Sequence, residues 1–574
     1  MPTVRFPPPV DTKRRPTLLS GRRAVAAAVS LAGAAALIPG CGAPRAGPPP
    51  LPTLNAALRP APTIDGQPPV QGPLSSDAGP YLYDENGRVV FLHGVNAVYK
   101  TAPYELYPDP GKPWNFTAHD ASLMSRLGFN VVRLGMTWSG LEPGTAPAND
   151  PAICARGAPH DPGQYDQTVL EAYLAKLAQT VDLLGRYHIY SLIDMHQDVF
   201  NEAFDGEGAP RWAVCTDGVP SVDPPGRWSL EYGTKGAGIA FRNFWTNAAV
   251  GDLQGEFDRV WAAVAAYFRG NPWVVGYDPF NEPFSTALTT VGDERFDSQL
   301  KCFYAGRNYV GPPVQGAFPI SCPVQDPAAG VIPTILSADP SHLVFFEPDI
   351  YASQGYPNFV GAMDFANLVF NVHVYCGYRN PVTGNPTKIG ACAAQDIHSL
   401  TTREEDRPEL ASTAQPAGPG WFVSEFGASS SAELLGDVTA AQDEALVGWA
   451  YWSWRYYGDP TGSADEALVM SDGRLRSTAR VLSRTYPEAV AGVPLSMSFN
   501  PSTGAFDLAY RPNPAVHAPT VVFVPLSIHY PHGYCARVVG ATVTSRPDSE
   551  LLTLSNRTST ALVRLSIASG GCKP

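Results

Sequence analysis

Residues Val274–Pro283 read VVGYDPFNEP. An apolar, β-branched run breaks into a proline-punctuated turn that carries Asn281 beside Glu282. Strands of a parallel sheet buried on both faces have such near-continuous apolar runs. A polar pair appearing where the strand runs out suits a (β/α)8 barrel, whose catalytic groups stand at the C-terminal strand ends. Trp421–Gly427 (WFVSEFG) repeats the pattern and carries Glu425. Two strand-terminal glutamates far apart in sequence are what glycosidic bond cleavage requires. One gives a proton to the leaving oxygen and the other attacks the sugar carbon.

Working outward, the same alternation recurs on both sides. Tyr81–Arg88 (YLYDENGR) reads as a hairpin with Asn86-Gly87 at its turn. Val89–Asn96 reads as the first barrel strand, followed by a helix over Ala118–Gly128 and a strand over Asn130–Met136. A helix over Asp166–Tyr187 leads to a strand at Ile189–His196, and one long helix is expected over Ile239–Phe268. Leu343–Pro348, Leu368–Val374, Trp421–Glu425 and Trp449–Trp454 complete eight strand candidates. Strands alternating with helices predict an α/β fold, here a closed (β/α)8 TIM barrel over residues 81–485. Beyond it, short β-type runs from Leu495 to Ile567, Ser527–Tyr530 among them, predict a small all-β sandwich over residues 486–574.

The chain has 574 residues, 44% hydrophobic and 16% charged, which suits a large globular protein. Its net charge of −13, with no Lys/Arg stripe past the first two dozen residues, disfavours nucleic acid as a partner. Nine cysteines divide into Cys41 and a set of eight. In an exported chain an even set predicts disulfides. Sequence proximity favours Cys302–Cys322, Cys376–Cys392 and Cys535–Cys572, which leaves Cys154–Cys215. No C-x2-C spacing points to zinc.

Residues 1–40 read as a targeting signal: basic Lys13, Arg14, Arg15, Arg22 and Arg23, then an uncharged apolar run over Ala24–Ile38. Arg22-Arg23 resembles a twin-arginine export signal, and Ile38-Pro39-Gly40-Cys41 resembles a lipobox, from which Pro39 departs. Cys41 is thus the expected lipid attachment point, with an ordinary cleaved signal peptide as the alternative. Residues 41–80, rich in Pro, Ala and Gly, read as an extended tether. The expected location is outside the cytoplasm, as a cell-surface lipoprotein or a secreted protein.

The NEP of Asn281–Pro283 and the SEFG of Ser424–Gly427 resemble the acid/base and nucleophile signatures of glycoside hydrolase family 5. DMHQDVF at Asp194–Phe200, together with GYDPFNEP at Gly276–Pro283, resembles more narrowly the endoglycoceramidase branch, and NVHVYCG at Asn371–Gly377 strengthens the set. The likeness covers Tyr81 to the C-terminus. It implies Glu282 as acid/base and Glu425 as nucleophile, about 5–5.5 Å apart in a retaining enzyme. It further implies Asn281 on the sugar 2-hydroxyl, His196 as a site-ordering residue and Asp194 as a sugar-hydroxyl acceptor. His373 and Tyr375 would bind sugar and hydrogen-bond the nucleophile, and Lys100 would contact sugar. Arg133 is expected to pair with Glu425. Trp452, Trp454 and Tyr456 share one face of a continued strand. Trp454 is the expected stacking platform, with Trp452 in the core. Arg455 replaces a lysine of the related sequences. Asp198 reads as part of a strand-end polar network.

The expected reaction releases the glycan of a glycosphingolipid from ceramide, with no metal or cofactor. Membrane contact would come through the lipid anchor and the substrate tails. Two other readings share these residues. One is another family 5 β-glycosidase, of the cellulase or glucosidase type. The other is a non-catalytic glycan-binding lipoprotein, which would need no paired proton donor and nucleophile.

Overall fold

The structure, a computed structural model, describes residues 51, 58–76, 79–155, 163–220, 231–246, 252–284, 294–306, 330–350, 360–375 and 411–572. The targeting segment and Cys41 lie outside these residues, as do Cys322, Cys376 and Cys392. Residues 58–76 of the expected tether instead pack on the body, with Val70 and Leu74 buried and Ser76 Oγ donating to Leu368 O at 2.8 Å.

Strands β3 (His93–Ala97), β4 (Val131–Met136), β5 (Tyr190–Met195), β6 (Val274–Asp278), β7 (Leu343–Phe346), β8 (Leu368–Val374), β9 (Gly420–Gly427) and β10 (Gly448–Trp452) are parallel. They close into a barrel when β10 pairs back onto β3, Trp449 opposite His93. Their residues are buried almost throughout, as strands covered on both faces require. Gly276 shows how tightly they approach: a Cβ there would meet the Leu343 carbonyl oxygen at 2.3 Å.

The helices begin where their capping chemistry dictates. Ala118–Leu127 starts at a capping box between Thr117 and Asp120 and stops at Gly128, which adopts φ +84°. Asp166 caps Gln167–Gly185, whose Leu170, Leu174, Leu177 and Leu184 sink into the strand–helix core. Each such burial contributes about 1.5–3 kcal/mol. The single helix expected over Ile239–Phe268 is two, Lys235–Thr246 and Leu253–Phe268, the second starting afresh at the Asp252 cap. Among the described residues no helix is long and apolar enough to cross a membrane.

The segment expected as one first strand, Val89–Asn96, divides. Strand β2 (Val89–Val90) leaves the barrel to pair with β1 (Leu82–Tyr83) and with β11 (Tyr486–Val490). The hairpin before the barrel therefore joins a six-stranded sheet with β11, β14 (Thr520–Phe523), β17 (Leu551–Asn556) and β16 (Ala541–Val543). A four-stranded antiparallel sheet holds β12 (Gly492–Asn500), β13 (Ala505–Pro512), β18 (Val563–Ser569) and β15 (Tyr534–Val539). The expected strand at Ser527–Tyr530 is instead one helical turn, Leu526–His529. Pro525, preset at φ −73°, initiates it, and its carbonyl accepts the Ile528 and His529 amides. Disulfides Cys154–Cys215 and Cys535–Cys572 are formed, and Cys302 is also disulfide-bonded.

Candidate active site

The C-terminal ends of the barrel strands converge on Arg133, a β4 residue with no solvent exposure. Its Nη1 donates to Glu425 Oε1 at 2.7 Å. Its Nη2 donates to Asp194 Oδ1 at 2.8 Å, Asn281 Oδ1 at 2.9 Å and Glu347 Oε1 at 3.0 Å, and its Nε to Asp278 Oδ2 at 3.0 Å. Burial alone would favour loss of its proton, but Asp194, Asp278, Glu347 and Glu425 hold it far more firmly charged than usual. One planar fork thus neutralises and orients carboxylates from several strands, a task a lysine point charge cannot copy.

Glu282 follows β6 through the turn Pro279–Asn281. The Asn281 amide extends the ladder by bonding Met195 O at 3.1 Å, and the Trp261 indole holds Pro279 O. Glu282 itself sits at φ +48°, a left-handed conformation that costs a non-glycine residue about 1–3 kcal/mol and persists only under outside support. The support is visible. Its N–H donates to Glu347 Oε2 at 2.9 Å, and its carbonyl accepts from Gln197 Nε2 at 3.1 Å. Burial pushes the Glu282 carboxyl up. The hydrogen bond from His373 opposes this and the charge of Glu425 adds to it, for a net rise.

His373 stands opposite Glu425 in the β8–β9 register. Its Nδ1 lies 2.7 Å from Glu282 Oε1 and 3.5 Å from Glu425 Oε2, and its Nε2 lies 3.2 Å from Glu347 Oε1. Burial opposes its charge, yet Glu347, Glu425 and the bond to Glu282 hold it well above the ordinary histidine range. Tyr375, two residues on, donates its hydroxyl to Glu425 Oε2 at 2.5 Å. Carboxylate oxygens of Glu282 and Glu425 come within 4.8 Å of one another. A small opening lies beside them, lined by Glu282, Glu347, Pro348, Asp349, Ile350, Val372 and His373.

On the other side, His196 Nδ1 bonds Asp194 Oδ2 at 2.8 Å, and its ring lies flat against Trp452, centroids 5.3 Å apart. Lys100 sits over the same indole and pairs with Asp198, while its Nζ is 3.5 Å from Glu207 and 3.0 Å from Thr461. His196, Asp198 and Glu207 offer ligand atoms within 4.8 Å of one another, a spacing that suits a cation. Here the Lys100 ammonium already supplies that positive charge, so the donor set fits an ion pair better than a metal.

Three expected placements change. Asp194 is no sugar acceptor: it is wholly buried, with one oxygen taken by Arg133 and the other by His196. Trp454 is no stacking platform, since it is wholly buried with its indole N–H on Asp120 Oδ1 at 3.1 Å. The strand ends at Trp452, so the alternation does not carry forward, and Trp452 is the tryptophan that meets His196. Asn281 uses its oxygen on Arg133 and one amide hydrogen on Gln197 O, leaving the second hydrogen for a sugar hydroxyl. Sequence reasoning missed Asp278, Glu347 and Gln197. Glu347 had a readable signal: it closes its strand run just before a proline, LVFFEP, as Glu282 precedes Pro283.

A family model described as Cellulase (glycosyl hydrolase family 5) matches residues 84–458, and one described as the glycoside hydrolase family 5 C-terminal domain matches residues 484–567. Endoglycoceramidase I of Rhodococcus hoagii (strain 103S) is 30% identical over 83% of this chain and 84% of its own. An endoglycoceramidase of Hydra vulgaris is 26% identical over 79% and 80%. The solved structure of endo-glycoceramidase II from a Rhodococcus species superposes with a TM-score of 0.65 at 25% identity, covering 85% of this chain and 99% of that one.

Proposed function

Because the chain belongs to glycoside hydrolase family 5 and is an O-glycosyl hydrolase, we propose that it is a retaining endo-β-glycosidase that cuts between the glycan and the ceramide of glycosphingolipids. Glu425 attacks the anomeric carbon while Glu282 protonates the departing ceramide oxygen. Glu282 then takes a proton from water, and the resulting hydroxide displaces Glu425 and frees the glycan with its configuration retained. The observation that carries this reading is the approach of the two carboxylates to within 4.8 Å. His373 Nδ1 spans the two, 2.7 Å from Glu282 Oε1 and 3.5 Å from Glu425 Oε2, as befits carboxylates that face one sugar.

The surroundings support each role. Arg133 and Tyr375 donate to opposite oxygens of Glu425, which aims it for attack. Burial raises the Glu282 carboxyl above the ordinary glutamate range, the direction a proton donor needs. When the covalent intermediate neutralises Glu425, one of the charges that raises Glu282 disappears, which favours its turn as base. Asn281 offers its second amide hydrogen and Trp452 its indole to the sugar, with His196 and Lys100 packed against that indole.

The basic-then-apolar segment ending at Cys41 supports export and a lipid on that cysteine, which would hold the enzyme at a membrane. Mass spectrometry of the mature N-terminus checks this, and an unmodified residue there rejects the anchor. For the reaction, pure protein is incubated with a ganglioside, lactosylceramide and a cello-oligosaccharide, alongside Glu282→Gln and Glu425→Gln. Glycan release from lipid alone, lost in both variants, is the expected result. Release of glucose or cellobiose alone would move the assignment to a cellulase-type activity.

A further inference from the structure

Glu347 has no part in the two-carboxylate reaction, yet its carboxylate touches as many of the site's polar groups as that of Glu425. It follows β7 directly, and its backbone is held at both ends by Tyr304. The Tyr304 hydroxyl donates to Glu347 O at 2.9 Å and accepts from Glu347 N at 3.1 Å. The carboxylate so fixed reaches three ways: Oε2 to the Glu282 N–H at 2.9 Å, and Oε1 to Arg133 Nη2 at 3.0 Å and toward His373 Nε2 at 3.2 Å.

We propose that Glu347 is the positioning residue for the proton donor, gripping the Glu282 backbone and the His373 ring together so that the Glu282 carboxyl meets the leaving oxygen at one fixed angle. The inference rests on the assignment of Glu282 as acid/base. Three features of the geometry carry it. Glu282 occupies a left-handed conformation, so its side-chain direction depends on what holds its peptide. Gln197 holds the carbonyl side, and Glu347 holds the N–H side. The same carboxylate faces the far nitrogen of the imidazole whose near nitrogen bonds Glu282 Oε1. Backbone and side chain of the donor are thus both referred to one anchor.

Glu347 does not compete for the donor's task. The charged and titratable groups facing it are Arg133 from β4, Asp278 from β6, Glu282 after β6, His373 from β8 and the Tyr304 hydroxyl. Burial would raise its carboxyl, but His373, Arg133 and the Glu282 N–H outweigh it, and Glu347 stays ionised.

The test is the dependence of kcat/KM on leaving group, measured with aryl β-lactosides from dinitrophenyl, which departs without a proton, to unsubstituted phenyl, which needs one. Glu347→Ala is expected to lose about 10²-fold on the phenyl substrate and at least about tenfold less on the dinitrophenyl one, as removal of general-acid assistance does. Glu347→Gln keeps an acceptor for the Glu282 N–H and should show the same split at smaller size, and it carries the test should the alanine variant misfold. Equal losses on both substrates, or no loss on either, overturn the inference. Glu282→Ala is measured beside them. If it fails to split the substrates, the acid/base assignment falls. If it splits them and the Glu347 variants do not, only the role of Glu347 falls.

Discussion

The Tyr375 hydroxyl donates to Glu425 Oε2 at 2.5 Å, on the carboxylate oxygen that Arg133 leaves free. A hydrogen bond to a charged group contributes about 1.5–3 kcal/mol. Tyr375→Phe should therefore lower kcat/KM by roughly 10–150-fold, since the nucleophile loses one of its two orienting donors. The thermal midpoint should move little. Steady-state kinetics beside a melting curve checks both, and a wild-type rate would remove Tyr375 from the machinery.

Arg133 is the charge on which the barrel's upper layer depends. Arg133→Met leaves Asp194, Asp278, Glu347 and Glu425 buried without their common cation. Breaking a buried ion pair costs about 3–5 kcal/mol, which for a body of this size corresponds to a fall in melting temperature of roughly 3–5 °C. Activity should vanish with it. Scanning calorimetry gives the first number, and an unchanged midpoint would show that the carboxylates find other partners.

Burial raises Glu282, and Glu425 adds to the rise, so the proton needed for catalysis is held to higher pH than on a free glutamate. For a substrate with a poor leaving group, kcat/KM should fall on the alkaline side as pH rises through the Glu282 pKa. That limb should lie above about 4.3, the unperturbed glutamate value. In Glu282→Ala with a dinitrophenyl glycoside the limb should disappear. A limb that survives there belongs to another group.

Trp452 and Trp454 should separate cleanly. Trp452→Ala removes the indole that meets His196 and Lys100, and is expected to raise KM and cut kcat/KM by about 10²-fold, in line with about 1–3 kcal/mol for a lost aromatic platform. Trp454→Phe strands Asp120 Oδ1 of one partner and should cost about 1–3 kcal/mol of stability while leaving KM near wild type. The reverse outcome would restore Trp454 to the sugar site.

The barrel was legible because its strands are unbroken β-branched and aromatic runs. Where the chain stays extended, period two also held: His373 and Tyr375 reach Glu282 and Glu425 from one strand end. The rule failed where a strand stops. Beyond Trp452 the backbone turns, so Trp454 serves the interior instead of the sugar, whereas Asp194, still inside β5, is held inward by Arg133 and His196. Glu347 and Asp278 were visible as residues but not as partners, because their meaning comes from Arg133 on another strand. Val89–Asn96 hid a change of sheet, since both of its halves are buried and apolar patterning does not say against what.

The pairing of β2 with β11 ties the segment that precedes the barrel to the one that follows it. During synthesis, the hairpin emerges some four hundred residues before its neighbour strand, and until Tyr486–Val490 arrives it has a bare flank on which stray strands can dock. Removing the β-domain would thus leave the hairpin's flank unpaired and take from the six-stranded sheet most of its strands. The enzyme is knotted into one unit by a clasp whose halves bracket the whole catalytic body.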